Sequence, residues 1–426
     1  MSNAINAPKG VPDYAPPRSR DFLFVRDQLS QPARHAGYEY MELPVFESTE
    51  LYVRGVGEST DVVSKEMYTF SDRGDRSITL RPEGTAGVMR AIIENRLDKG
   101  SLPVKVWYAG PFFRAERPQH GRYRQLQQVG IEVVGSDDPA IDAEVIALGY
   151  EAFTGLGLKN FHLDLTSLGC AACRPAYRAE LQRFLDTCDL DPETRSRALI
   201  NPLRVLDDKR EAVQSQLGNA PLMVDHLCAD CANHYAQVRE FLRANDVQWR
   251  ENPRLVRGLD YYTRTTFEYV HSGLGAQSGI GGGGRYDGLM ADLGGDALSG
   301  IGFGLGTDRT LLACEAEGLT PFSSTNINIF FIPFDHQGRV TITALLHQLR
   351  QRGIACDMAF DERSLKSAMK LADRSGAPFV ALYGKDEAEQ SIVQIKNMES
   401  GEQVSIASDA ISIVEFLDQQ NRKAKP

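Results

Sequence analysis

Four arginines and a histidine crowd a short stretch near the middle of the first half of the chain: Arg114, Arg117, Arg122, Arg124 and His120. Glu116 is the single acid among them. A planar guanidinium binds two phosphate oxygens at once, so this pattern favours a polyphosphate or a nucleic-acid end as ligand. A solvated basic turn is the alternative that this stretch alone leaves open.

The element that must position these arginines is the segment from Val104 to Gly135, VKVWYAGPFFRAERPQHGRYRQLQQVGIEVVG. Two runs rich in aromatic and β-branched residues flank the charged stretch, and such runs are typical of strands. Pro118 and Gly121 suit a turn between them. The segment is therefore predicted to form a long antiparallel hairpin with the arginines at its tip.

Length and composition limit the class of protein. The chain has 426 residues, 42% of them apolar and 24% charged, with a net charge of −10. This length favours two or three domains, and this net charge argues against a protein coated in nucleic acid. Local basic patches can still bind one. No run of about 18 apolar residues is present, and the N-terminal segment has no apolar core, so we expect a cytoplasmic protein without a membrane span or secretory signal.

Four of the seven cysteines form two C-x-x-C pairs. Cys170 and Cys173 make the first pair, and Cys228 and Cys231 make the second. The pattern is typical of zinc ligands, although the gap between the pairs exceeds the usual ribbon spacing. Reduced cysteines without a metal are the alternative, and the sequence does not decide between the two.

The first part of the chain mixes helices and strands. A helix is predicted over Arg18–Ala36, followed by a strand-like run that ends at Pro44; the pair suits either core packing or a subunit contact. Two strands and a helix from Thr85 come next, and Glu83 before that helix suits a cap. After the hairpin we predict a helix over Ser136–Thr154 with Ser136 as its cap.

The composition and the predicted secondary structure change twice after this helix. Residues 167–244 are rich in charge and helical patterns, which predicts a mostly helical insertion. Strand-like runs return in RGLDYYTRTTFEYVH, GIGGGGRYDGLM and GIGFGLGTDR. From about residue 326, apolar strands alternate with helices, which predicts a separate α/β domain.

The glycine runs carry two interpretations. Gly279, Gly281 and Gly284 satisfy G-x-G-x-x-G, but most of that stretch is glycine and no downstream acid is evident, so we treat the match as chance. In GIGFGLGTDR, alternating glycines would clear one strand face beside Arg309, which suits a flat base under a guanidinium. Tight strand packing is the alternative.

Five motifs in this order resemble those of the histidyl-tRNA synthetases, a class II aminoacyl-tRNA synthetase family: LRPEGTAG, FRAERPQHGRYRQ, RGLDYYTRTTFEY, GGGGRYDGL and GFGLGTDR. RGLDYY is the most specific of them. The resemblance implies an α+β catalytic domain, with an antiparallel sheet flanked by helices, over residues 1–166 and 245–322. It also implies a C-terminal anticodon-binding α/β domain over residues 326–426.

The resemblance further implies roles for individual residues. In ATP binding, Arg114 would hold the α-phosphate and Glu116 the nucleotide, while Arg122 and Arg309 would bend the triphosphate and cover the adenine. Leu126 stands under the adenine where the family usually has an aromatic residue, and Asp308 stands where many relatives have Glu. Arg257 would face Arg114 across the reacting carboxylate and α-phosphate as a second catalytic arginine.

The histidine site implied by the resemblance has two parts. Glu83, Thr85 and Gln128 would hold the α-amino group. Glu132 and Tyr262, with Tyr261 beside them, would contact the imidazole.

The activity implied is ligation of L-histidine to tRNA(His) through a histidyl-adenylate, with ATP as substrate and Mg²⁺ on its phosphates, by a homodimer. The rival interpretation is a catalytically silent, synthetase-like regulator of histidine biosynthesis. Loss of RGLDYY and of the C-terminal domain would favour that rival, and both are present here. Arg117, His120 and Arg124 stay unassigned, with the acceptor end of the tRNA as our hypothesis for them.

Overall fold

The computed structural model describes residues 5–57, 60–206, 208, 210–322, 327–361 and 363–424. The chain divides into two compact units, residues 1–320 and 321–426. Asn326, where the second unit was predicted to begin, lies outside the described residues. None of the described helices is both long and apolar enough to cross a bilayer.

The strands of the first unit are β1 Glu39–Tyr40, β2 Phe46–Ser48, β3 Tyr68–Ser71, β4 Ser77–Leu80, β5 Val104–Phe113, β6 Gln125–Val134, β7 Phe161–Ser167, β8 Arg250–Glu251, β9 Thr263–His271, β10 Gly279–Arg285 and β11 Gly300–Gly306. Its helices are α1 Arg18–His35, α2 Thr49–Val56, α3 Thr85–Glu94, α4 Pro139–Gly155, α5 Arg174–Asp186, α6 Pro192–Ile200, α7 Leu203–Leu206, α8 Glu211–Gln214, α9 Ala229–Ala244, α10 Leu289–Asp292 and α11 Thr307–Ala316. Short 3-10 or π turns occur at Val62–Glu66, Leu97–Lys99, Leu217–Asn219, Met223–His226 and Ser272–Gln277.

An eight-stranded sheet forms the centre of this unit, in the order β1-β5-β6-β11-β10-β9-β7-β8. Its inner pairs are antiparallel, and only the edge strands β1 and β8 pair in parallel with their neighbours. Helices α1, α4 and α11 pack with this sheet. A second sheet has the order β2-β4-β3. The predicted antiparallel sheet flanked by helices is confirmed.

The predicted hairpin is confirmed as β5 and β6, which pair antiparallel over ten residues each. Gly121 in its turn has a φ of +73°, a left-handed conformation that glycine adopts without a steric penalty. Backbone hydrogen bonds between Gln119 and Arg122 close the tip. The basic tip is thus held by a two-stranded ladder that continues the central sheet.

Two local predictions need correction. The helix predicted from Ser136 begins instead at Pro139, because Asp138 caps it by accepting a hydrogen bond from the Ala140 N–H, and Pro at the first turn sacrifices no intrahelical bond. The strand predicted from RGLDYY begins only at Thr263. The preceding loop is irregular because its groups bond elsewhere; Asp260, for example, accepts a hydrogen bond from Arg204 at 3.0 Å.

Residues 167–244 contain mostly helices, as predicted, around their own apolar cluster, which includes Tyr177, Leu181 and Leu217. These residues belong to the first compact unit. The boundaries placed at residues 166 and 244 stay predictions.

The second unit contains β12 Ile329–Pro333, β13 Cys356–Met358, β14 Phe379–Tyr383, β15 Ile392–Asn397 and β16 Gln403–Ala407, with helices α12 His336–Gln351, α13 Leu365–Ser375, α14 Lys385–Gln390 and α15 Ala410–Ala424. Strands β12, β13 and β14 are parallel, while β15 and β16 add antiparallel at one edge. The predicted α/β domain is confirmed, although strand β16 and helix α14 were not predicted.

Candidate active site

The floor of the candidate site is one face of strand β6. Side chains alternate across a strand, so Leu126, Gln128, Gly130 and Glu132 share that face. On β5, Tyr108 pairs with Gly130, and a Cβ at Gly130 would lie 2.3 Å from the Tyr108 ring. Glycine is therefore required at residue 130 to let the tyrosine cross the floor toward Glu132.

The glycine-rich strands β10 and β11 make room for the larger side chains of the site. A Cβ on Gly302 would lie 1.9 Å from a carboxylate oxygen of Glu132. On β10, a Cβ on Gly284 would lie 2.9 Å from the Tyr262 ring, and one on Gly282 would lie 3.0 Å from the Arg257 guanidinium. The glycine runs thus combine tight packing with space for functional side chains.

A cleft of about 180 Å³ opens above this floor. Seven of the sequence-predicted residues line it: Arg114, Glu116, Arg122, Leu126, Gln128, Arg257 and Arg309. They come from the hairpin, the loop before β9 and helix α11, so the fold brings together segments far apart in the sequence. All five residues predicted for ATP are in this set.

Charges in the cleft are partly compensated. Glu116 forms an ion pair with Arg122, and Glu268 accepts a hydrogen bond from Arg257 at 2.9 Å. Arg309 donates to the carbonyls of Gly121 and Gly279, at 2.9 and 2.7 Å. Burial, followed by repulsion from Arg122, lowers the pKa of Arg309.

The opposing arginine, Arg114, donates from Nε to the Pro82 carbonyl at 3.0 Å. Four arginines and three carboxylates, those of Glu116, Glu268 and Asp308, therefore line the cleft. The arginines still outnumber the acids, and this excess of positive charge suits a polyanion.

Glu132 lies fully buried beneath the cleft and accepts hydrogen bonds from three hydroxyl groups. Thr85 donates at 2.8 Å, Tyr108 at 3.1 Å and Tyr286 at 2.5 Å. Burial raises the pKa of this carboxyl to about 8, against the opposing effect of those hydroxyl donors. The group can therefore hold a proton near neutral pH or give it to a basic ligand.

Glu83 is also buried and caps helix α3. Its carboxylate accepts from the backbone N–H groups of Thr85 and Ala86, at 2.7 and 3.0 Å, and from the Tyr261 hydroxyl at 3.3 Å. Burial raises its pKa while these donors oppose the rise. Glu83 therefore caps helix α3, as the sequence suggested. Its role in binding histidine stays a prediction.

Some of the predicted histidine-binding residues line an open cleft, and most of the others are buried. Gln128 and Arg257 line the open cleft. Tyr261 and Tyr262 are in ring contact, with centroids 4.7 Å apart, and Tyr262 lines a second cleft that also borders Arg257. Glu83, Thr85 and Glu132 lie in the buried network described above.

Several residues of the site were not singled out from the sequence. Glu268 orients Arg257, while Tyr108 and Tyr286 donate to Glu132. Tyr286 lies within GGGGRYDGL, so that motif carried a signal, but its partner could not be read from it. Tyr108 lies in a strand where an aromatic residue is ordinary.

Asp308, which stands where many relatives have Glu, connects three segments of the chain. It accepts from the Gln127 N–H at 2.5 Å and from the Tyr14 hydroxyl. At the hairpin tip, Arg117 and His120 are exposed, whereas Arg124 donates to the Glu116 carbonyl at 3.1 Å. Arg124 therefore braces the tip, which distinguishes it from the two exposed residues.

The four cysteines of the C-x-x-C pairs lie together. Their sulfur atoms are all within 4.8 Å of one another, with Cys170 3.6 Å from Cys173 and 3.9 Å from Cys228. The structure thus unites two pairs that the sequence left apart.

Comparisons with known proteins agree with this geometry. The family profile described as histidyl-tRNA synthetase matches residues 10–310, and an anticodon binding domain profile matches residues 329–418. A histidine–tRNA ligase of Rhodococcus opacus (strain B4) is 60% identical over 96% of both chains, and one of Saccharopolyspora erythraea is 59% identical over 97% of this chain and 98% of the relative. The crystal structure of apo S. aureus histidyl-tRNA synthetase matches 97% of this chain and 100% of its own, at 35% identity and a TM-score of 0.80.

Proposed function

The chain belongs to the histidyl-tRNA synthetase family, and we propose that it ligates L-histidine to tRNA(His) in two steps, with ATP as the energy source. The observation that carries the proposal is the arginine-lined cleft, which adjoins a buried carboxyl ringed by hydroxyl groups. The cleft suits a nucleotide triphosphate, and the carboxyl suits an imidazole. The two ligands would then meet between Arg114 and Arg257.

In the first step, the histidine carboxylate attacks the α-phosphate of ATP in line with the departing pyrophosphate. Arg114 and Arg257 neutralise the charge that develops around phosphorus, while Glu268 and the Pro82 carbonyl hold them in place. Arg122 and Arg309 bind the β- and γ-phosphates and the adenine face. Positioning supplies most of the acceleration because little covalent work falls to the protein.

Mg²⁺ suits the same cleft because the carboxylates of Glu116 and Glu268 line it, and carboxylate oxygens are ligands this ion prefers. When bound, it would neutralise phosphate charge. Glu116 of the hairpin and Glu268 of strand β9 are the residues that would hold it.

Histidine selection rests on the buried network. Glu132 and Tyr262 contact the imidazole, while Glu83, Thr85 and Gln128 hold the α-amino group. A buried polar group left without a partner costs about 1–3 kcal/mol, so a side chain of similar size without two ring nitrogens binds poorly. That cost gives selectivity without an editing site.

In the second step, a hydroxyl of the 3′-terminal ribose of the tRNA attacks the carbonyl carbon of the histidyl-adenylate, the ester bond forms, and AMP leaves. The anticodon binding domain profile supports a tRNA-binding role for the second unit. Exposed Arg117 and His120 at the hairpin tip suit the acceptor end, and we place the enzyme in the cytoplasm, where its tRNA is used.

Histidine-dependent exchange of pyrophosphate into ATP tests the first step. We expect exchange with L-histidine and none with glutamine, phenylalanine or histidinol, followed by charging of tRNA(His) transcripts. Absence of exchange in folded protein would favour the regulatory alternative. That alternative has little support, since relatives named histidine–tRNA ligase match nearly the whole chain.

We also propose a homodimer. Four large apolar residues of the first unit are exposed: Tyr40, Val45, Phe46 and Phe70. Tyr40 lies on the outer strand β1 of the central sheet, and Phe46 and Phe70 lie on the two outer strands of the second sheet. Sedimentation at micromolar concentration should give a dimer, and Phe46→Glu should shift it toward monomer. Leu199→Glu, at an even more exposed leucine of the insertion, should leave the dimer intact. A monomeric wild-type protein would contradict this assignment.

A further inference from the structure

One cluster of side chains lies outside the proposed aminoacylation site: the four cysteines Cys170, Cys173, Cys228 and Cys231. Four sulfur ligands at about 2.3 Å from a tetrahedral zinc ion lie about 3.8 Å from one another. Two of the sulfur–sulfur distances, 3.6 and 3.9 Å, lie on either side of that value, and all four sulfur atoms are within 4.8 Å of one another. All four cysteines are free thiols here, and their separations far exceed the S–S bond length of about 2.05 Å.

The surroundings of the cluster also suit a metal. Cys173 and Cys228 stand at the N-caps of helices α5 and α9, and Cys173 accepts a hydrogen bond at sulfur from the Cys228 N–H at 3.1 Å. Backbone N–H donors of this kind orient and stabilise thiolate ligands. Cys173 and Cys231 are buried, so the cluster is partly shielded from solvent.

The turn before the cluster is tightly constrained. Gly169 has a φ of +60°, and a Cβ there would lie 2.5 Å from Met223 and 2.7 Å from Cys173. The first cysteine pair is therefore placed by backbone geometry that only glycine allows.

We propose that these four cysteines bind one structural Zn²⁺ ion per protomer. The ion joins the two ends of the helical insertion, since Cys173 and Cys228 are 55 positions apart in the sequence. Cross-linking the ends of so long a loop restricts the unfolded chain and fixes the helices between them.

The site also has a mechanical connection to the candidate active site. The Leu168 N–H donates to the Arg264 carbonyl at 2.7 Å, and the Arg264 N–H donates to the Gly169 carbonyl at 3.0 Å. Arg174 in addition donates to the Tyr262 carbonyl. Loss of zinc should therefore raise the histidine KM several-fold. This effect on KM rests on the proposed function, whereas the measured zinc content tests the metal site independently of that function.

The test measures zinc in full-length protein purified without chelator and supplied with ZnCl₂. We expect about one zinc per protomer, with an X-ray absorption spectrum that fits four sulfur ligands at about 2.3 Å. Cys170→Ser with Cys228→Ser should lose the ion. Cys188→Ser, a buried cysteine of the same insertion outside the cluster, is the matched control and should retain it.

Less than half an equivalent of zinc in the wild-type protein would overturn the proposal, as would nitrogen or oxygen ligands in the absorption spectrum. Full retention of zinc by the double variant would also overturn it. Should the double variant fail to fold, the spectrum of the wild-type protein still decides the ligand set. Finding two disulfides in protein handled under reducing conditions would equally refute the metal site.

Discussion

Arg257 occupies a position where a small change should have a large catalytic effect. Its guanidinium lies over Gly282 and is held by Glu268, so it is oriented before substrate arrives. Preorganised charge of this kind stabilises a transition state without a reorganisation cost. Its orientation depends on a carboxylate that sequence motifs did not single out.

Arg257→Ala should reduce histidine-dependent pyrophosphate exchange by on the order of 10²-fold or more, because one source of positive charge at the reacting phosphate is lost. Arg254→Ala is the matched control, since that side chain donates to the Gly218 carbonyl at 2.6 Å, in the insertion. Near-normal exchange by Arg257→Ala would refute the assigned role.

The buried carboxyl group of Glu132 should make histidine binding depend on pH. Its pKa near 8 means that the empty site holds the proton below that pH, while a free imidazole binds one below a pKa of about 6.5. The pair needs one shared proton, so the histidine KM should be lowest between these values. It should rise above pH 8, where neither group keeps a proton.

Glu132→Gln should abolish the alkaline rise in the histidine KM, since an amide has no proton to lose in that range. Glu151→Gln, at an exposed carboxylate on helix α4, should keep the wild-type profile. An identical alkaline limb in Glu132→Gln would assign that limb to another group, such as the substrate's amino group.

At the scale of elements, two glycines of strand β11 differ in the space that surrounds them. Gly302 faces Glu132, and a side chain there has no space. At Gly306 the nearest atom to an added Cβ, the Ile280 carbonyl oxygen, is 3.4 Å away, and the backbone φ of −77° suits any residue. The same strand thus contains one glycine that packing requires and one that it tolerates.

Gly302→Ala should lower the free energy of unfolding by about 1–3 kcal/mol and raise the histidine KM, since Glu132 must move. Gly306→Ala should stay within about 0.5 kcal/mol of the wild type. Denaturant titration with histidine kinetics measures both quantities. Equal stability of the two variants would contradict the contact at Gly302.

Elements with regular patterns were predictable, and those shaped by tertiary contacts were not. Helix α1 was found nearly to the residue because Phe22, Val25 and Leu29 recur at helical spacing and are buried. Strand β16 was missed because only Val404 and Ile406 alternate with polar residues at a sheet edge. The start of α4 was misplaced because Asp138, not Ser136, accepts the hydrogen bond from the Ala140 N–H in the first turn.

For the whole molecule, the division into two compact units predicts separable steps. The residues proposed for adenylate formation all lie in the first unit, and the second unit is matched by the anticodon binding domain profile. Removing residues 321–426 should therefore spare pyrophosphate exchange within about threefold and reduce tRNA charging by on the order of 10²-fold, since most tRNA contacts would be lost.

Circular dichroism of the shortened chain provides the folding control. An equal loss of exchange and charging in a folded chain would mean that the second unit supports the catalytic site itself. Retained charging would instead place the tRNA contacts within the first unit.

The sequence by itself determined most of the elements, the basic hairpin and seven of the residues that line the cleft. Periodicity, turn residues and motifs are local properties, so they survive without a fold. Only the tertiary structure decided which side chains bond to each other. Glu132, for example, accepts hydrogen bonds from the hydroxyl groups of Thr85 and Tyr286, which are 47 and 154 positions away in the sequence. It also decided that two distant cysteine pairs meet. Such contacts depend on sheet register and strand order, which no short stretch of residues specifies.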